Sequence, residues 1–404
     1  MVPGGWLVCP IQRPALNGPA DVCYMIYLDN AATSFPKPAE PLRRALEKYL
    51  RLGASPGRGG YDLAVEAEQM VDGVRRTLCR FFGGDESYRV CFAYNSTDAL
   101  NTLIQGLAEP GCHVVSTRLE HNSVLRPLHH LKQAGLIELD LVPFNGQGFV
   151  EPRALASALR PNTSFALVNH ASNVLGTLQP VEFLAEVCRK NGVPLLLDAS
   201  QSAGLTPIRL QEWGVAGLAF TGHKSLLAPT GIGGLVISPE IDPKPTRFGG
   251  TGVDSQNLTH TLTYPHRLEA GTINLFGVLA LGECLAYIES PAHQEALARE
   301  KSLLIRLRDG LRAIEGMTIY AAENLDNHLP LLSCNLSGLP ARDAADILDG
   351  DFGIAVRSGL HCAPLVHQDL GTGEDGALRF SLGPFNTAED IDAALEAMSR
   401  IARR

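Results

Sequence analysis

Several things are scarce or missing in this 404-residue chain. Charge is thin, at 19% of residues, and the balance of 34 basic to 43 acidic side chains leaves a net −9. Nothing basic marks the chain for nucleic acid or an anionic membrane. No stretch approaches eighteen uncharged apolar residues, so no transmembrane helix is expected. The nine cysteines (Cys9, Cys23, Cys79, Cys91, Cys112, Cys188, Cys284, Cys334 and Cys362) include no CxxC pair and are odd in number. That argues against a zinc site or a secreted disulfide framework, so no metal is expected and a reducing, cytoplasmic setting is. No GxGxxG follows a first strand, which sets aside a nicotinamide-dinucleotide enzyme. No repeat of 20–50 residues is visible.

What is present is a globular composition, 45% hydrophobic, long enough for two or three domains. Residues 1–24 are rich in Pro and Gly, without the basic or apolar regions of a signal peptide. They read as a loose extension before Met25. Helical periodicity follows: Ala39, Leu42, Ala45, Leu46 and Tyr49 share one face, and Met70, Val74, Leu78 and Phe81 form a stripe that ends at Gly83. Then come the apolar runs VCFAY, HVVS, IELDLV, FALVN, PLLLD, LAF and GGLVIS, most separated by helical stretches. Continuous apolar runs indicate strands buried on both faces, and their alternation with helices indicates an α/β, mostly parallel, doubly wound sheet. This large domain is expected over 25–285, its first residues able to pack with the smaller α+β domain expected over 286–404.

Ligands in such a sheet sit beyond the carboxyl ends of the strands. After VCFAY, Asn95, Ser96 and Thr97 open a helix, either as a plain cap or as a phosphate site. PLLLD ends at Asp198, which can cap a turn or pair with a cationic ring nitrogen. LAFTGHKS places Thr221, His223 and Lys224 at the next strand end, where a desolvated amine is the type that forms a Schiff base. Cys362 lies in RSGLHCAP, and Gly359, Pro364, Gly371 and Gly373 describe a loop around it. Adjacent His361 and nearby Arg357 are read as cations that lower its thiol pKa. The other eight cysteines read as small buried hydrophobes, with Cys23 alternatively exposed. Arg379, on the apolar strand ALRFS, is read as a grip on a carboxylate or as half of an internal ion pair.

The combination is the layout of fold-type I pyridoxal-phosphate enzymes. Through YLDNAATSFPKP, EHNSVLRP, NHASNVLGT, LLLDASQSAG, FTGHKSLLAPTGIGG, EAGTINL, RSGLHCAP and LRFSLGPFNT, the chain resembles the class V aminotransferase-like cysteine desulfurases and selenocysteine lyases. The resemblance implies a fold-type I transferase that binds pyridoxal 5'-phosphate covalently at Lys224. Asp198 would meet the ring nitrogen, Gln201 the ring hydroxyl, and His121 the ring face. Ser96, Thr97, Thr221 and His223 would hold the phosphate. Thr272 would reach the phosphate of a neighbouring subunit, which implies a homodimer. Asn173 would lie near the ring and the substrate carboxylate, with Arg379 and Arg357 also in the substrate site.

The implied activity turns L-cysteine into L-alanine, with Lys224 moving the Cα proton, His121 moving protons at the ring face and the Cys362 thiolate taking the sulfur as a persulfide. Selenocysteine lyase, cysteine sulfinate desulfinase or aminotransferase activity on the same fold is the alternative, and a non-catalytic sulfur-relay protein is a further one. Leu360 stands where many relatives carry a second histidine, leaving the thiolate one less proton partner. The short stretch from Cys362 to Arg379 points to a separate small sulfur-acceptor protein, serving iron–sulfur cluster assembly among other pathways.

Overall fold

The computed structural model describes residues 25–53, 55–57 and 59–404; the extension 1–24, with Cys9 and Cys23, lies outside the described residues. A short strand β1 (Ile26–Tyr27) precedes helices α1 (Ala39–Leu52) and α2 (Asp62–Phe81). The seven apolar runs follow as β2 (Arg89–Ala93), β3 (Cys112–Thr117), β4 (Ile137–Val142), β5 (Thr163–Asn169), β6 (Leu195–Asp198), β7 (Gly217–Thr221) and β8 (Gly233–Ile237). Between them lie α3 (Ser96–Leu107), α4 (Asn122–Gln133), α5 (Pro152–Ala158), α6 (Val181–Lys190) and the single turn α7 (Leu210–Trp213). The strands form one sheet in the order β2-β8-β7-β6-β5-β3-β4, parallel except for β8, which runs against both neighbours.

The continuous apolar runs have a direct cause. Along β5, Phe165 and Leu167 pack into one core while Ala166 and Val168 pack into the other. Leu196 and its neighbours Leu195 and Leu197 divide in the same way on β6. With both faces covered by helices, the middle of these strands is apolar and polar side chains are confined to their ends, at Thr163, Ser164, Asn169 and Asp198.

Helix α8 (Leu275–Ile288) is apolar nearly all round because it is buried against α1 and α2. It meets α9 (Pro291–Arg312) at 72°, and no single helix among the described residues is long and apolar enough to cross a membrane. The remaining elements are β9 (Met317–Tyr320), β10 (Leu331–Leu336), α10 (Ala341–Phe352), β11 (Ile354–Ala355), β12 (Arg357–Gly359), α11 (Pro364–Leu370), β13 (Ala377–Ser381) and α12 (Ala388–Ile401). An antiparallel sheet β12-β13-β10-β9 shares a core with α9, α10 and α12. The chain start joins this second body: β1 pairs in parallel with β11, and Asp29 bridges Ser381.

Two sequence expectations need correction here. On α1, Ala45 is buried and Leu42 half-buried, but Ala39, Leu46 and Tyr49 are exposed; the buried side is Pro41–Ala45–Leu52, and Tyr49 meets α8 through an edge contact with Phe276. The segment after Cys362 is not wholly loop either. Pro364 supplies the preset φ of a first helical position and opens α11, which Gly371 ends at φ 70°.

Candidate active site

The carboxyl ends of β2, β3, β5, β6 and β7 open into a cavity of about 270 Å³, closed from the other side by Arg357, His361 and Arg379 and by Ala31 and Ala32 after β1. From the sheet it receives Ser96, Thr97, His121, Asn173, Asp198, Gln201, Thr221, His223 and Lys224. The structure therefore brings together twelve sequence-identified positions separated by up to 283 residues (96 to 379).

At the end of β2, Asn95 caps α3 by accepting from the Asp98 N–H at 3.0 Å. The first helical N–H groups at Ser96 and Thr97 still face the cavity, as an anion site requires. Opposite them, Thr221 Oγ1 and His223 Nδ1 are buried without a hydrogen-bond partner. Burial holds His223 down at about 4, with Lys224 and Lys37 adding to the fall, so its ring is neutral at pH 7. Buried polar atoms left unpaired are costly, and here they converge where a polar ligand would satisfy them.

Lys224 follows at the same strand end. Burial pushes its amine down to about 8, against the opposing pull of Asp198. Asp198 takes contacts on one oxygen: Oδ1 accepts from the Ser200 N–H at 2.9 Å and from the Ser200 hydroxyl, and Ser96 Oγ lies 3.4 Å from it. Gln201 Nε2 donates to the Ala31 carbonyl at 3.1 Å, fixing its amide beside the ring of donors.

His121 is the N-cap of α4, its Nδ1 accepting from the Ser123 N–H at 3.0 Å. That bond places the ring proton on Nε2, and burial with the Lys224 charge keeps the ring well below its ordinary pKa. Behind it, Glu120 Oε1 accepts from Thr117 Oγ1 at 2.6 Å and from the Asn169 N–H at 2.9 Å, while Oε2 has no partner. Burial pushes this carboxyl up to about 8. It is a neutral acid at pH 7.

Arg379 resolves into the second of its two readings, with a remainder. Its Nη2 pairs with Asp29 Oδ1 at 2.9 Å and Nη1 donates to the Asn173 carbonyl at 2.9 Å, but Nε is buried without a partner.

The Cys362 segment is built differently. His361 and Cys362 are non-glycine residues at φ 48° and 58°, in left-handed backbone that costs on the order of 1 kcal/mol each and persists only when the surroundings enforce it. Three bonds do so. The Asn122 N–H donates to the Cys362 carbonyl at 2.7 Å, Asn173 Nδ2 to the His361 carbonyl at 2.7 Å, and His361 Nε2 to the Ala377 carbonyl at 2.9 Å. His361 is not the cation expected beside the thiol. It is buried, and burial, with Arg379, His367 and Arg357 adding, drives it down to about 2. The cation against the sulfur is Arg357, whose Nη2 lies 3.8 Å from Cys362 Sγ.

Five other cysteines (Cys79, Cys91, Cys188, Cys284, Cys334) are buried as expected; Cys112 is the exception, half-exposed because it begins β3 at the sheet edge away from the cavity. Thr272 is not in the cavity. It lines a separate surface cleft with Arg75 and Glu269. Sequence reasoning assigns no role to Ser200, Glu120, Asn169 or Asp29, although all four stand inside motifs that drew attention to their neighbours.

The model of the family described as Aminotransferase class-V matches residues 26–394. A probable cysteine desulfurase of Methanothermobacter thermautotrophicus is 31% identical over 93% of this chain and 94% of its own length. One from Pyrococcus abyssi is 32% identical over 94% of each. The solved apo cysteine desulfurase of Thermococcus onnurineus superposes with a TM-score of 0.86 at 32% identity, covering 94% of this chain and 95% of that one. The chain therefore belongs to the class-V aminotransferase family, among its cysteine desulfurases.

Proposed function

We propose that this protein is a pyridoxal-phosphate-dependent cysteine desulfurase that converts L-cysteine to L-alanine and retains the sulfur as a persulfide on Cys362. The observation that carries the reading is that Lys224 and Asp198 share one cavity with Arg357, whose guanidinium reaches Cys362 Sγ just outside the cavity lining. The unpartnered Thr221 and His223 atoms and the open N-terminus of α3 fit a phosphate. Asp198 fits a protonated ring nitrogen, Gln201 a ring hydroxyl, and Lys224 a covalent bond to an aldehyde carbon. The bound cofactor would supply the electron sink that makes the substrate's Cα–H and Cβ–S bonds breakable.

The remaining work falls to side chains of this chain. Arg379, through Nε and the edge not given to Asp29, holds the substrate carboxylate, with Asn173 beside it. The Lys224 amine, close to half-neutral near pH 8, removes the Cα proton. His121 presents an Nε2–H to the cavity and moves protons at its open face. The Arg357 guanidinium lies against the Cys362 sulfur, which as the thiolate attacks the substrate sulfur. The sulfur–sulfur bond forms as the Cβ–S bond breaks, and the electron pair of that bond leaves with the carbon fragment, which is protonated to alanine.

Three further readings rest on the same site. Thr272 and Arg247 share a surface cleft with Tyr94, and exposed Phe248 and Leu258 lie on the same 247–274 stretch; these features support a homodimer in which Thr272 reaches the partner's cofactor phosphate. The part-exposed Cys362 on a fixed loop supports delivery to a small sulfur-acceptor protein. The separate cores of the large sheet with α8 and of the second sheet with α9, α10 and α12 support two domains, the boundary at 285 falling in the last turn of α8.

The test is to incubate the yellow holoprotein with L-cysteine. Alanine should appear, with a mass gain of one sulfur on Cys362. Colourless protein after addition of pyridoxal phosphate, or unchanged cysteine turnover in Cys362→Ser, would overturn the reading. Sedimentation equilibrium tests the dimer.

A further inference from the structure

Ser200 belongs to no role assigned above, yet it sits where two halves of the cavity meet. In the sheet, β2 and β6 are not neighbours, since β8 and β7 stand between them. A chain of hydroxyls nevertheless joins their ends. Ser96, at the start of the helix that follows β2, lies 2.5 Å from Ser200 Oγ, and Ser200 Oγ contacts Asp198 Oδ1 at the end of β6.

The protons can be counted. Asp198 Oδ1 as a carboxylate has none to give, so the Ser200 hydroxyl donates to it and the Ser96 hydroxyl donates to Ser200 Oγ. The Ser200 N–H adds a second bond to the same oxygen at 2.9 Å. Oδ1 is thereby engaged on its own turn, and all the side-chain contacts of Asp198 among the described residues fall on that oxygen. Oδ2 is left to the cavity that Asp198 lines.

We propose that Ser200 is a positioning residue that couples the phosphate end of the cavity to its ring-nitrogen end, through the Ser96–Ser200–Asp198 hydroxyl chain. An anion at the α3 N-terminus takes the Ser96 proton, so Ser200 no longer receives it. Ser200 still holds Asp198 in place. Occupancy at one end thus alters the donor chain at the other, across two intervening strands. Bonds in such a chain polarise one another, so removing the middle member weakens both ends together.

This inference rests on the pyridoxal-phosphate reading, and the experiment separates the two. Apoprotein is titrated with pyridoxal 5'-phosphate by fluorescence in wild type, Ser200→Ala, Ser200→Thr, Ser96→Ala and the double Ser96→Ala/Ser200→Ala variant, with melting temperatures as a fold control. Ser200→Ala should weaken binding about tenfold, the value of one hydrogen bond to a charged group. Ser200→Thr, which keeps the hydroxyl, should stay within about threefold of wild type. The double variant should be weaker than Ser96→Ala alone by about threefold, less than the loss Ser200→Ala causes by itself, because the Ser200–Asp198 bond is still there to lose but Ser96 no longer polarises it. Failure of wild type to bind pyridoxal phosphate would overturn the underlying functional reading. Normal wild-type binding with additive losses, with no loss in Ser200→Ala, or with no recovery in Ser200→Thr would overturn the coupling alone.

Discussion

The two walls of the cavity are held by different physics. The wall at the sheet ends is placed by strands buried on both faces, and its donors are left unsatisfied: Thr221 Oγ1, His223 Nδ1 and the N–H groups of α3. The Cys362 wall is placed by hydrogen bonds that force two residues into left-handed backbone. The first wall is a rigid frame with spare bonding capacity. The second has spent its backbone carbonyls on holding itself in shape, and keeps His361 Nδ1 and Arg379 Nε unpartnered. A ligand therefore belongs to the frame, and the loop presents one reactive atom at a set place.

This contrast should fail visibly if it is wrong. Lys224→Ala should abolish turnover, by about 10³-fold or more, and should also remove the covalently bound colour, since it strikes the frame. Cys362→Ser should lower cysteine desulfuration by at least about 10²-fold while leaving the colour and cofactor affinity intact. Loss of cofactor in that variant would dissolve the distinction between the walls. On the frame side, the rate at which pyridoxal phosphate attaches to apoprotein should rise roughly tenfold from pH 7 to pH 9, because the attacking amine titrates near 8. A flat profile would remove Lys224 as a desolvated amine.

Glu120 gives a stability test of the same wall. Its folded value near 8 lies above the unfolded value of about 4.3, so between them the folded state binds one proton more than the unfolded state. Stability then falls as pH rises, by about 1.4 kcal/mol per unit from this group. Glu120→Gln should remove that share of the slope in urea unfolding at pH 5, 6 and 7; parallel slopes would refute a buried neutral acid. The smallest effect is expected on the loop side. Arg118 bonds both oxygens of Asp369 and Gln368 on α11. These groups are part-exposed, so Arg118→Ala should slow Cys362 alkylation or persulfide formation by about threefold at most and leave cofactor binding unchanged.

The frame was readable in the chain, and so were Cys362 and Arg357 on the loop; the loop's shape was not. Strand ends carry their functional residues immediately after apolar runs, so Asp198, Thr221 and Lys224 could be located from pattern alone. Left-handed backbone at His361 and Cys362 has no mark in side-chain type, since neither is glycine. The neutrality of His361 comes from burial by elements distant in sequence, and the Asp29–Arg379 pair spans 350 residues. Ser200 meets Ser96 at the start of a helix that follows a strand not adjacent to its own. The exposure of Leu46 and Tyr49 depends on which side of α1 is buried, and periodicity cannot choose between two flanks of one stripe.

The pairing of Arg379 with Asp29 has a consequence for traffic through the site. An arginine buried alone would hold any carboxylate tightly, and alanine leaves with the same carboxylate that cysteine brought. With Asp29 already at one edge, a substrate carboxylate in the proposed seat would share the guanidinium with a resident one. The grip is moderate by construction, and the spent amino acid is as free to depart as the fresh one is to enter.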